Sequence, residues 1–266
     1  IAWAAVLLLG VTAFYSYNNA TIKSALLKGE EENNRQQKIQ NRLEEAKRIS
    51  DLYDLRMRTF TAKILEQRKS AEYTTLPMES IAQIIALSIS LEPYLPIKND
   101  SLASQKLSPE RGELLKLLCS LEIDSASFKK IIIDGDFKNA DLRGANLESI
   151  DVSGIDLRGA NLEKANLKNA DLSGSNLVRV ILREATLDGA VLDDSEIKHL
   201  RCQWASLKEA SLRNTNLKGA DFSNSQMQGV DFHKAFLQWA NMQGTILQDA
   251  NFFQSDLYAV KFNKSN

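Results

Sequence analysis

From Phe137 to Phe262 every fifth residue is apolar, twenty-six positions without a slip. With 44% apolar residues in the chain, an unbroken run of that length arises by chance on the order of once in a billion trials, so a repeat takes precedence over any other reading. Neither a helix, with ~3.6 residues per turn, nor a flat strand repeats on five. A second column, mostly small, runs two residues ahead of the first and includes Ala140, Ala145, Ala160, Ala165, Ala170 and Ser175. Asp or Asn stands between the two columns, as at Asp141, Asn146, Asp151, Asp156 and Asn161, and glycine gathers two residues after the large one, as at Gly144, Gly154 and Gly159. A turn in every unit explains both choices, because glycine accepts backbone angles that other residues resist and short Asx side chains satisfy local amides.

Units such as ADLRG, ANLEK, ANLKN, ADLSG and ADFSN resemble the A(D/N)LXX consensus of the pentapeptide-repeat family. The resemblance covers about residues 135–266. It implies a right-handed quadrilateral parallel β-helix with four pentapeptides per coil and with the Ala and Leu columns turned inward. Twenty-six units then make about six and a half coils, and at the ~4.8 Å spacing of paired strands the rod is about 30 Å long. Solenoid ends expose unpaired backbone and open core, so both need covers. The chain stops at FNKSN with no capping helix in view, so this end is expected to fray, to self-associate or to be covered by a partner.

The first half of the chain is organised differently. Residues 1–17, IAWAAVLLLGVTAFYSY, contain no charge and read as a transmembrane helix at the short limit of the ~17–25 residues a span needs. Tyr15 and Tyr17 suit an interfacial aromatic belt. Residues 18–76 read as a long amphipathic stalk, polar at first and then carrying Ile39, Leu43, Ala46, Ile49, Tyr53, Met57, Phe60 and Ile64 at spacings of three and four. The stripe fits a coiled-coil seam or packing within the chain equally well. Residues 77–134 read as a helical linker and N-terminal cap. They hold a helix over about Met78–Leu91, a loop from Glu92 to Leu107, and a helix opened by Ser108 at the N-cap, Pro109 at the first position and Glu110 in the first turn. That last helix and the apolar Ile131–Ile133 are placed to cover the first coil.

Residues twenty apart fall on the same side of a four-unit coil, so outward residues can be sorted by side. The side built on Phe137 and Leu157 presents a row of cations, Lys138, Arg158, Arg179, Lys198 and Lys218, and further along Phe236, Trp239 and Tyr258; Phe253 lies on an adjoining side. Exposed aromatics are enriched at interfaces, so Phe236, Trp239, Phe253 and Tyr258 are candidate partner contacts and the cation row a candidate basic face. Asp136, Asp156 and Glu196 on the same side offset much of that charge.

Net charge −1 argues against a strongly basic nucleic-acid binder, and no nucleic-acid partner is expected. His199 and His233 are predicted outward on neighbouring sides of a convex rod. Cys119 and Cys202 lie far apart with no CxxC or Cys/His neighbour, and the glycines are periodic turn residues rather than a phosphate loop. No catalytic, cofactor-binding or metal-ligating residue is assigned, and no cofactor is expected. The family resemblance implies non-enzymatic roles. Together with the span it suggests a bacterial membrane-anchored member, single-pass, that offers its rod to a protein partner or larger membrane complex. From Lys23, Lys28 and Arg35 after the span, and from the free thiols, the repeat domain is expected on the cytoplasmic side. The alternative implied by the resemblance is a topoisomerase-protecting protein that mimics duplex DNA and binds gyrase. Against it, residues 135–266 hold 15 Lys and Arg against 17 Asp and Glu, and the register admits no inserted loop.

Overall fold

The structure is a computed structural model and describes residues 30–41, 44, 47, 48, 51, 75–93, 97, 98, 101, 102, 106–121 and 123–266. The span read at residues 1–17 and most of the stripe between residues 39 and 64 lie outside the described residues. No helix among the described residues is long and apolar enough to cross a membrane. The chain divides into two units, residues 1–48 with 97–102, and residues 49–96 with 103–266. In the first, residues 30–41 are helical and almost wholly exposed. Gln36 Nε2 donates to Glu32 Oε1 one turn back at 3.0 Å, a spacing at which side chains support a helix that has little to bury. Among the described residues of the loop expected at 92–107 is an antiparallel hairpin of β1 (Ile97–Lys98) and β2 (Ser101–Leu102), in register Ile97 to Leu102. Two-residue strands leave no periodic signal for a sequence to show.

The second unit holds α1 (Met78–Ser90), α2 (Pro109–Ser120), α3 (Ser125–Asp134) and the coil. From Phe137 onward parallel bridges join residues twenty apart, Asp141 to Asn161, Asn146 to Asn166 and so on to Asn241 with Lys261. Four five-residue units therefore close each coil. Strand pairing is reduced to a single bridged residue per unit, with a turn occupying the rest.

One unit shows why the sequence must look as it does. Asn161 N donates to Ala140 O in the coil before, at 3.0 Å; Leu162 N and Lys164 N donate to Ile181 O and Arg183 O in the coil after, at 2.8 and 2.9 Å; Ala165 N closes a turn on Leu162 O at 3.0 Å. The fifth amide, Glu163 N, finds no carbonyl and donates instead to Asn161 Oδ1 at 3.0 Å. The Asx column thus exists to satisfy the one amide that the ladder leaves over. The residue after it takes a positive φ in every unit, glycine at eight of them, and Asn139, Trp204 and Trp239 are among the others.

The two inward columns fill the lumen. Large side chains from Phe137 to Met242 are buried at every fifth position, with Ala140, Ala145 and their successors between them. In the later coils Leu gives way to Phe. Phe222 and Phe232, from opposite sides, meet edge to face at 6.3 Å, and Phe252 stacks under Phe232 at 5.1 Å. In the last coil Leu247 and Phe252 are half-buried and Leu257 and Phe262 exposed.

At the other end the cap is more elaborate than its sequence suggested. Ser108 accepts from Arg111 N at 3.2 Å as the N-cap of α2, as its position predicts. The same residue bridges Ala140 in parallel and extends one side of the coil backward by a step. Ile131 and Ile132 cover the lumen, but they do so from α3, a helix the sequence reading did not identify, and Ile133 faces outward. Arg111 is buried. Its guanidinium donates to Ser88 O of α1 at 3.2 Å, Lys138 O of the first unit at 2.7 Å and Asp136 Oδ2 at 3.0 Å, tying two helices to the coil. Gly112 lies so close to that coil that a Cβ there falls 2.0 Å from Asp141 O.

Gly112→Ala is therefore expected to lift α2 off the first coil and to destabilise the protein by about 1–3 kcal/mol, read as a shift of the denaturant midpoint. An unchanged midpoint contradicts this packing. A pH effect follows from the carboxylates. The Ser153 hydroxyl, then the Ser153 amide and Lys129, hold the Asp151 carboxylate below its usual value against desolvation, and the Ser127 hydroxyl, then the Ser127 amide, do the same for Asp124 at the start of α3. A depressed carboxylate contributes stability above its unfolded value of about 3.9 and loses it as pH falls through the lower, folded value. The thermal midpoint is thus expected to stay level from neutral pH to about 4 and to fall below it, less steeply in Asp151→Asn. A decline already under way at pH 6 contradicts this assignment.

Candidate interaction surface

The lumen is closed by side chains, so whatever the coil does it does with its outside. Each of its four sides is a ladder of outward positions flanked by turns, and the side chain at each rung faces its counterparts in the coils above and below. Along the Leu157 side the candidate basic row is largely neutralised from within. Arg158 pairs with Asp156 at 2.7 Å, Lys198 with Glu196 at 2.8 Å, and Lys138 approaches Asp136 at 3.6 Å. Each acid is the Asx-position residue of its cation's own unit, and exposed pairs of this kind contribute little stability but do cancel charge. Arg179 and Lys218 have no ion pair among the described residues. Lys218 Nζ lies instead 5.8 Å over the Phe236 ring.

The candidate aromatics are all exposed, from 43% at Phe236 to 68% at Tyr258. Trp239 and Tyr258, in consecutive coils of one corner, meet edge to face at 6.0 Å. Beneath them Gln238 is buried and its Nε2 donates to Asp256 Oδ2. Phe253 does not join this group through a ring contact; it stacks on His233 at 5.5 Å on the neighbouring Leu172 side. The patch is thus two aromatic pairs on adjoining sides, with Phe236 and its lysine on the flat between them.

The sequence reading missed Trp204. It is 55% exposed, and the Arg183 guanidinium lies 5.8 Å over its ring. Gln203 Nε2 donates to Asp221 Oδ2 at 2.6 Å, one coil on, as Gln238 does to Asp256. The signal was present as a repeated tripeptide, Gln-Trp-Ala at 203–205 and again at 238–240.

Neither thiol is placed for chemistry. Burial pushes the Cys119 thiol up to about 12 and raises Cys202, which lines the lumen, further still. His199 turns its ring over Gly219, on a different side from His233. Among the described residues no three His, Cys, Asp or Glu gather as a metal site would require. Two cavities among the described residues lie in the helical cap. One of about 350 Å³ is a shallow groove between α1 and α3 lined by Met78, Ile85, Ile89 and Lys130, and one of about 180 Å³ lies beside Cys119 and Phe128. No cofactor-sized pocket with convergent polar groups is among these.

The family model for pentapeptide repeats matches in 8 copies, over residues 133–159, 155–194, 201–238 and 235–266. It passes over residues 195–200, where Ile197 and Leu200 nonetheless stay buried in register. No curated protein matches the chain. Among solved structures, HetL, a pentapeptide repeat protein involved in heterocyst differentiation regulation from the cyanobacterium Nostoc sp. strain PCC 7120, is 26% identical, over 50% of this chain and 74% of its own, with a TM-score of 0.24. A trypsin-treated form of QnrB1, a plasmid-mediated fluoroquinolone resistance protein, is 19% identical over 46% of this chain and 71% of its own, TM-score 0.26. A pentapeptide repeat protein of the Arabidopsis thaliana thylakoid lumen is 25% identical over 39% and 65%, TM-score 0.17. Through its four-unit coil, matched over residues 133–194 and 201–266, the chain belongs to the pentapeptide-repeat family.

Proposed function

We propose that the protein is a non-enzymatic, membrane-anchored interaction scaffold. Residues 1–17 hold it in the bilayer, residues 18–76 form a stalk, and the coil offers rigid, flat sides to a protein partner or a larger membrane complex on the cytoplasmic face. The observation that carries the reading is the group formed by Phe236, Trp239 and Tyr258, with Phe253 on the next side. Large rings stand in solvent on a scaffold whose own lumen has no use for them. Aromatic anchors surrounded by polar groups that are already hydrogen-bonded to one another are the composition of an interface centre. The uncharged run at the start of the sequence supports the anchor, and Lys23, Lys28 and Arg35 after it support the orientation.

A DNA-mimicking, gyrase-protecting role fits the surface poorly. Duplex DNA carries a charge about every 1.7 Å, on the order of 18 over a rod of about 30 Å. The two most acidic sides of the coil together carry four cations against nine acids, a net of −5.

Capture from membranes with the intact chain tests the scaffold reading. A partner retained by the parent protein is expected to be lost, or its recovery reduced at least about tenfold, with Trp239→Ala and Phe236→Ala combined. Undiminished recovery with the double variant removes the aromatic group from the interface. Gyrase supercoiling assayed with the same protein is expected to be unaffected.

A further inference from the structure

We infer that the corner formed by Arg183, Arg201 and Trp204 is a second docking site, and that it takes a short acidic segment of a protein partner; the inference rests on the scaffold reading above. Three observations converge there. Trp204 holds a φ of 57°, a conformation that bulky residues enter at a cost, and with its ring 55% exposed no core packing offsets that cost. The Arg183 guanidinium carbon lies 5.8 Å over the ring, where its donors can hold a carboxylate with two parallel hydrogen bonds. Arg183 and Arg201 also have no carboxylate partner among the described residues, unlike Arg143 and Lys164 on the same side, which pair at 2.6 and 3.5 Å. Asp221, one coil beyond Arg201, is engaged by Gln203 Nε2 at 2.6 Å, Asn241 Nδ2 at 3.0 Å and Ser223 N at 3.1 Å, and Glu184, one coil before Trp204, by Lys164 at 3.5 Å.

The wider field has the same sign. When each five-residue unit is assigned to its side, the Leu157 and Leu162 sides carry eleven cations against eight acids, while the two opposite sides carry four against nine. The coil is therefore basic along the edge that bears its tryptophans and acidic along the other. That asymmetry selects among polyanions. Nucleic-acid affinity grows with the number of phosphates neutralised, and a chain of net charge −1 with an acidic back offers few. An extended peptide needs less. Arg201 and Lys261 lie three coils apart on one side, about 14 Å, which four or five extended residues span. One carboxylate beside Arg201 and a second near Lys261, with an apolar side chain on the indole at the Arg201 end, match the rungs.

The test uses the full chain and three fluorescein-labelled probes in anisotropy titrations: a ten-residue peptide alternating Glu and Leu, its Lys and Leu counterpart, and a ten-nucleotide single strand. The acidic peptide is expected to bind saturably and more tightly at low salt. Trp204→Asn, and Arg183→Gln with Arg201→Gln, are each expected to weaken it at least about fivefold. Asn accepts the turn conformation at no greater cost than Trp, so Trp204→Asn is expected to melt no lower than the parent, which separates a lost contact from a lost fold. The inference is overturned if the acidic peptide does not bind, if it binds equally to these variants, or if the oligonucleotide displaces it. Peptide binding that is lost in Trp239→Ala but kept in Trp204→Asn overturns this site alone and leaves the scaffold reading in place. Peptide binding that depends on Trp204, together with membrane capture that yields no partner, does the reverse.

Discussion

One backbone amide in five governs this coil. Three amides of each unit reach carbonyls in the neighbouring coils and a fourth closes the turn, but the amide after the large inward residue faces none. An Asx side chain two residues back can reach it, and from Asp141 to Asn176 such a residue is present in every unit. A single neutral hydrogen bond of this kind contributes only about 1 kcal/mol. Repeated along the coil it fixes the turn, and with the turn the five-residue period on which all burial depends.

The same constraint explains how the coil survives where its consensus lapses. From Ile181 to Ser211 seven successive units lack Asp or Asn at the Asx position. In two of them the preceding coil supplies the missing oxygen. Asp188 Oδ1 accepts from Lys208 N at 3.0 Å and Asp193 Oδ1 from Arg213 N at 2.9 Å, with Ser206 and Ser211 hydroxyls donating to the same carboxylates. Once the duty passes to another residue, the position is free to carry something else. Ile181, Val191 and Arg201 stand there, and Trp204 with its arginines belongs to this stretch.

Legibility in the sequence followed the reach of each interaction. The coil could be read unit by unit because its pattern is local and repeats; Leu, Asx and the turn residue are fixed within five positions. The N-cap at Ser108 was legible for the same reason. The cap's interior was not, because its decisive contacts join residues with no sequence relation. Arg111 reaches Ser88 and Asp136, and nothing in RGELLKLL marks that arginine as buried. Likewise Ile131 and Ile132 declare an apolar face without declaring a helix. On the surface, the exposure of Trp239 could be read from register, but its contact with Tyr258 and the cancellation of the cation row by Asp156 and Glu196 depend on which way long side chains lean. Trp204 was overlooked because register alone gives it no aromatic neighbour, and its partner turned out to be an arginine in the preceding coil.

A solenoid of this kind separates what holds it together from what it shows. Each unit contacts only its neighbours, so stability accumulates along the axis, while the outward rungs touch no part of the lumen. Two outward devices still bear on stability, the turn residue and the Asx oxygen, and both mark where the surface has been specialised. A tryptophan at φ 57° or 60° gives up conformational comfort that Asn or Gly would keep, and it does so twice in the same Gln-Trp-Ala setting. In each case the glutamine is tied to an aspartate one coil further on, so the ring is raised on a braced turn rather than a loose one. Flat sides, braced rings and a charge that changes sign from one edge to the other make the rod a directional surface. A partner can approach its aromatic edge with carboxylates and is repelled if it brings them to the other.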